Sequence, residues 1–326
     1  MLKYIGKRLL MLIPVMLGVT LIIFLMLAIT PGDPARQILG GEATEEQVEE
    51  LREELGLNDP LPIRYIRFVW DMVHGDLGTS YTTGMSVTDE LLERLPTTLL
   101  MSVLCTIVGA VIGIFFGVIS AVKQYSILDN ISRVVALAGI SIPSFWLGLM
   151  FIITFSVNLG WFPSSGFYGP RYWVLPCLTV GLVQAATVMR QTRSAMLDVI
   201  RQDYIRTARA KGQTELKVIL KHALPNALIP IITVLGIQFG HGLGGAIISE
   251  QIFSIPGLGK LMVEAINARN YPVVQGGVLL IAICYTVINL VVDLLYAVID
   301  PRIKSQYTGK KKKKESKAVE AKAVAK

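Results

Sequence analysis

The chain has 326 residues, 52% of them hydrophobic and only 17% charged, with a mean hydropathy of +0.56. A soluble domain with a polar surface rarely shows that balance, and segment length decides for a bilayer: several apolar runs reach the ~20 residues a helix needs to cross. The net charge of +7 does not read as a nucleic-acid footprint, because Lys310 to Lys314 follow the last apolar run and most other basic residues sit in short connections between runs.

In chain order, the first predicted span covers 9–30, uncharged and preceded by Lys3, Lys7 and Arg8. It is longer than a signal-peptide core and ends in Thr30-Pro31-Gly32-Asp33-Pro34 instead of a small-x-small cleavage site, so it reads as retained. Residues 31–96 carry 14 acidic and 5 basic side chains, with apolar residues at helical spacing. They read as short amphipathic helices in an insertion that leans on the mouth of the bundle, as a lid or as a landing surface. One helix starts at Thr44 with Gln47 three residues on, a capping box, carries Val48, Leu51 and Leu55 on one face, and stops at Gly56. A second opens with Pro62 in its first turn, shows Ile63, Ile66, Trp70 and Val73, and closes at Gly75. A third, 87–95, leads into Pro96.

Five more spans follow at 97–122, 134–160, 172–189, 224–249 and 273–299, charge-free except for Asp293. Backbone groups in lipid must be satisfied within the segment, so all six are expected to be helices, with Pro14, Pro143, Pro176 and Pro230 as kinks or ends. Gly109, Gly113 and Gly117 recur every fourth position of the second span and predict close packing, foremost on a neighbouring helix of the same chain. Lys and Arg number 23 in the N-terminal segment, 123–133, 190–221 and the tail, against 8 in the alternate connections, which puts both termini in the cytoplasm. The expected organisation is an N-terminus with the first span (1–30), an extracytoplasmic insertion (31–96), a core with helices two to six (97–303) and a lysine-rich disordered tail (304–326).

The connector 190–225 is the most informative stretch. It reads as two helices split at Gly212, where a left-handed turn costs little. The first carries Met196, Ile200 and Tyr204 at fourfold spacing; the second starts at Thr214 and places Leu216, Ile219, Leu220 and Ala223 on one side before Pro225 stops it. A short helix with one apolar face and many basic residues needs a partner: a soluble protein, anionic lipid or the chain's own helices.

At this point the chain resembles the inner-membrane permease subunits of ABC importers, whose cytoplasmic signature is Glu-Ala-Ala, three residues, Gly, nine residues, then Ile-x-Leu-Pro. Aligned on Gly212, the sequence matches at Ala208, Gly212, Leu224 and Pro225 and departs at Arg206, Thr207 and His222. The form Tyr204-Ile205-Arg206-Thr207-Ala208-Arg209-Ala210-Lys211-Gly212 is similar to the peptide and nickel branch. Pro31-Gly32-Asp33-Pro34, Gly75-Asp76-Leu77-Gly78, Ser141-Ile142-Pro143-Ser144, the block from Glu250 to Gly257, and Asp300-Pro301-Arg302 agree with it, closest to the first permease of dipeptide and oligopeptide importers. The resemblance implies an all-α, six-helix, type I importer permease of the bacterial plasma membrane that moves dipeptides or short oligopeptides. It implies no catalytic residue and no cofactor. The partners would be a second homologous permease, two cytosolic ATPase subunits and an extracytoplasmic binding protein. Tyr204, Thr207, Ala208, Gly212, Leu216, Leu220, Leu224 and Pro225 would form the loop that couples to the ATPase, with Ala208, Gly212, Leu224 and Pro225 keeping its shape.

Other signals carry less. Gly257-Leu258-Gly259-Lys260 misses a P-loop, with Ser254 and Leu261 where that motif needs Gly and Ser or Thr. The glycines from Gly240 to Gly245 fit a dinucleotide fingerprint only literally, inside a span with no preceding strand. Cys105, Cys177 and Cys284 lack the paired spacing of a disulfide framework or zinc site. His241 is the one histidine within a span, a candidate for the pathway or for helix packing. Asp293 invites an ion-coupled carrier as the alternative function, although its place near a helix end favours a structural role.

Overall fold

In a computed structural model the chain is described at residues 2–30, 32–40 and 42–299, with side chains at 2–5, 7–9, 37, 243–246, 293 and 295–299 excepted. The tail 304–326, the Asp300-Pro301-Arg302 block and the side chain of Asp293 therefore lie outside the described residues. Helices follow in the order α1 (Leu2–Ile29), α2 (Pro34–Leu39), α3 (Glu45–Glu54), α4 (Leu61–Val73), α5 (Val87–Val122), α6 (Ile127–Ser141) and α7 (Ser144–Phe151), which runs on as a π-helical turn, Ile152–Asn158. Then come α8 (Pro170–Ile200), α9 (Asp203–Ala210), α10 (Glu215–Lys217) with a π-helical turn, Val218–Ala223, α11 (Leu224–Ile252), α12 (Leu258–Asn267) and α13 (Tyr271–Ile299).

Segments within α1, α5, α8, α10–α11 and α13 are long and apolar enough to cross a membrane. The pair α6 and α7, which together are apolar enough to make a sixth span, is broken at Ile142 and Pro143 and bent by 100°, where a single run over 134–160 was expected. Pro143 cannot donate to a helical ladder and holds the residue before it extended, so the break falls there. Pro14, Pro176 and Pro230 instead lie inside continuous helices. The helix expected over 87–95 is no separate element, because α5 runs through Pro96.

The bundle is built around α5 packed on α8. Gly109, Gly113 and Gly117 face α8 so closely that a Cβ on Gly113 would lie 2.7 Å from Val188 Cβ and 2.8 Å from the Ala185 carbonyl oxygen. The α8 side reciprocates at Gly181, whose Cβ would meet Val108 Cγ1 at 2.7 Å.

In the insertion, α3 forms as its sequence dictates. Thr44 accepts from the Gln47 amide, the Gln47 side chain accepts from the Thr44 amide, and Gly56 ends the segment at φ +63°. The second helix, α4, also forms, but its stripe of Ile63, Ile66, Trp70 and Val73 is exposed and does not lean on the bundle. Its opposite face packs instead, because Tyr65 and Phe68 find the ring of Phe24 on α1 at centroid distances of 5.4 and 6.5 Å.

Candidate functional site

At the end of the bundle away from the insertion, α8 runs to Ile200, further than the expected span. The chain breaks at Arg201 and Gln202, and α9 folds back so that Ile205 and Ala208 are buried with Met196, Val218, Ile219 and Ala223 in one apolar cluster. Gly212 closes the turn at φ +74°, with no heavy atom within 4 Å of where a Cβ would sit. Glycine is thus required there by conformation and not by space. Two polar clasps hold the hairpin. The Arg209 guanidinium donates to both Glu215 oxygens at 2.6 and 3.0 Å, and His222 Nε2 pairs with Gln213 Oε1 at 2.8 Å. The carboxylate beside it raises the pKa of Arg209, chiefly through those hydrogen bonds.

The expected stop at Pro225 does not occur. Helix α10 passes through the π-helical turn straight into α11. The turn shifts the ladder by one residue, so that the Leu224 amide donates to the Ile219 carbonyl, and Asn226 Nδ2 donates to the His222 carbonyl at 2.7 Å. Acceptors near the missing proline N–H are thereby served, and the helix continues. Of the residues expected on one apolar side, Ile219 and Ala223 are inside while Leu216, at 70% exposure, and Leu220 are outside. With Leu224 they flank an apolar groove of about 760 Å³ whose other wall is Val111, Phe115 and Val118 of α5. Tyr204 is exposed, Pro225 is exposed, and the exposed Thr207 turns its hydroxyl back to the Asp203 carbonyl at 3.0 Å. Ala208 faces inward and cannot itself touch a partner.

His241 is not among these residues; it lies midway along α11, exposed toward a groove of about 660 Å³ shared with α1 and α13. Among the described residues, no cluster of three His, Cys, Asp or Glu could hold a metal ion.

Three anchors escape the sequence reading. Asp129, fully buried, accepts from Arg193 Nε and Nη2 at 2.7 and 2.9 Å, from Ser120 Oγ at 2.5 Å and from the Tyr125 amide at 2.9 Å. It ties the ends of α5 and α6 to α8, immediately before the hairpin. At the insertion end, buried Glu250 accepts from Thr98 Oγ1 at 2.6 Å and from the Lys260 amide at 2.9 Å. Asn270, also buried, accepts from the Tyr81 amide at 3.1 Å and donates to Ser80 Oγ and Thr82 Oγ1. Nothing local in the sequence marks Glu250 or Asn270 as buried, and their side-chain partners lie 152 to 190 positions away.

Residues 113–305 match the family model described as "Binding-protein-dependent transport system inner membrane component", and residues 1–102 match its N-terminal companion model. The chain belongs to this permease family. It is 43% identical to the dipeptide transport system permease protein DppB of Alkalihalophilus pseudofirmus, over 93% of this chain and all of that one. It is 44% identical to the glutathione transport system permease protein GsiC of an Escherichia coli O6:H1 strain, over 93% and 99% of the two chains. A solved chain of the inward-facing MetNI methionine ABC transporter shares its fold, with a TM-score of 0.55 and 24% identity over 64% of this chain and 96% of that one. The permease is therefore a multi-pass inner-membrane subunit of an ABC importer, and its relatives are transport subunits, not enzymes. That membership does not favour the ion-coupled carrier built on Asp293.

Proposed function

We propose that the permease forms half of a path for dipeptides or short oligopeptides, with a second homologous permease completing it. An extracytoplasmic binding protein delivers the peptide, and two cytosolic ATPase subunits drive the cycle. Support for the substrate comes from the DppB and GsiC relatives, named for dipeptide and for glutathione transport and aligned over nearly the whole chain. Both termini and the Gly212 hairpin are read as cytoplasmic, and the excess of Lys and Arg on one set of connections supports that reading.

The observation that carries the coupling role is the two-sidedness of the hairpin. Ile205, Ala208, Val218 and Ile219 weld it to the bundle, while Tyr204, Leu216 and Leu220 stay exposed, the two leucines along the groove they share with α5. An ATPase groove that takes those side chains moves α11 directly, because the arm that carries Leu216 and Leu220 runs without a break into that span. In vesicles holding the full complex and the binding protein, ATP-dependent dipeptide uptake is expected. Gly212→Val should cut uptake at least tenfold, because a β-branched residue at φ +74° is strained by ~1–3 kcal/mol, while ATPase subunits still co-purify. Unchanged uptake with normal ATPase association would refute the coupling role.

A further inference from the structure

We propose that α4 is embedded in the lipid leaflet at the insertion end of the bundle, with phospholipid acyl chains covering its outer face. The helix is apolar on two opposite sides. Tyr65, Phe68 and Met72 lie on one and are half-buried; Ile63, Ile66, Trp70 and Val73 recur at helical spacing on the other and are exposed, Ile66 and Trp70 at 67% each. Arg64, Arg67 and Asp71 occupy the edge between them, with the Arg64 guanidinium over the Phe24 ring at 5.8 Å.

Depth comes from the contacts with α1. The Tyr65 hydroxyl donates to the Leu17 carbonyl at 3.0 Å and lies 3.1 Å from Thr20 Oγ1, and the Phe24 ring meets Tyr65 and Phe68. Leu17, Thr20 and Phe24 all fall inside the crossing segment Leu10–Ile29. At ~1.5 Å of rise per residue, Phe24 sits about 7 Å and Thr20 about 14 Å inside the end of that segment at Ile29. A helix held there cannot have its far side in bulk water, because the hydrocarbon core is ~30 Å thick. Amphipathic helices that lie in a membrane bury their apolar face ~5–10 Å into the headgroup boundary, the depth of Phe24.

The crossing segment of α1 itself exposes Leu21, Ile22, Leu25 and Met26, apolar surface of the kind that acyl chains cover. A soluble binding protein cannot reach this depth. The inference stands on family membership and the α1 contacts and does not depend on the peptide reading.

Bromine-labelled phosphatidylcholine tests it on the complete transporter in vesicles. Trp70→Phe preserves an apolar ring, so the fold is retained, and the difference in emission between native protein and variant isolates Trp70. That difference should be quenched at least twofold by bromines near the top of the acyl chain, and hardly by aqueous iodide. Quenching by iodide and not by bromolipid overturns the proposal. So does efficient crosslinking of an Ile66→Cys variant to the second permease in native membranes, which would show protein in place of lipid on that face.

Discussion

Asp129 shows how much one side chain can hold at the base of the hairpin. It is fully buried, its principal partner Arg193 is largely buried, and four donors converge on it from α5, α8 and the turn between α5 and α6. Removing one member of such a pair leaves the other charge uncompensated, which costs ~3–5 kcal/mol. Asp129→Ala should therefore lower the apparent melting temperature of the detergent-solubilised permease by several degrees. An Asp129→Ala, Arg193→Met double variant should recover part of the loss, because the stranded guanidinium is gone. Sequence alone left this pair unseen: its members stand 64 positions apart, and an aspartate in a polar connection looks like an ordinary solvated charge. Gly212 was legible for the opposite reason, since the need for a left-handed turn is local and glycine between two helical patterns announces it.

Among the elements, those governed by near neighbours in the chain were readable. The Thr44–Gln47 capping box and the glycine stops of α3 and α4 all depend on residues within one turn. The glycine stripe of α5 was readable too, as a face without side chains, and its partner is α8. Gly113→Leu should push those helices apart, with backbone and Val188 both in the way, at a cost of ~1–3 kcal/mol or more. The expected readout is loss of the monodisperse peak in size-exclusion chromatography, whereas Gly212→Val, which meets no neighbouring atom, should keep it. Less readable was the passage through Pro225. A proline normally ends a helical pattern, and only the π-helical register of Val218–Ala223 explains why this one does not. The exposed stripe of α4 was legible as an apolar face, but its covering was not, because periodicity says that a face is apolar and not what covers it.

Across the whole molecule, the insertion is pinned to the bundle by Asn270, which reaches Tyr81, Ser80 and Thr82 across about 190 positions of sequence. Asn270→Ala removes all three of these bonds and leaves the half-buried Tyr81 amide without its side-chain acceptor, at a cost of ~1–3 kcal/mol. Limited proteolysis should then cut faster between α4 and α5 while the spans remain intact. At the far end, the hairpin, the π-helical turn and α11 form a single rod from Glu215 to Ile252, about 55 Å long at ~1.5 Å per residue. Its Glu250 end is clamped by Thr98 and the Lys260 amide. An unbroken helix carries messages in both directions. If the hairpin holds an ATPase as proposed, whatever factor the occupied outer mouth applies to that grip, the seated ATPase must apply to the outer mouth in return, so affinities measured at either end should reveal the same number.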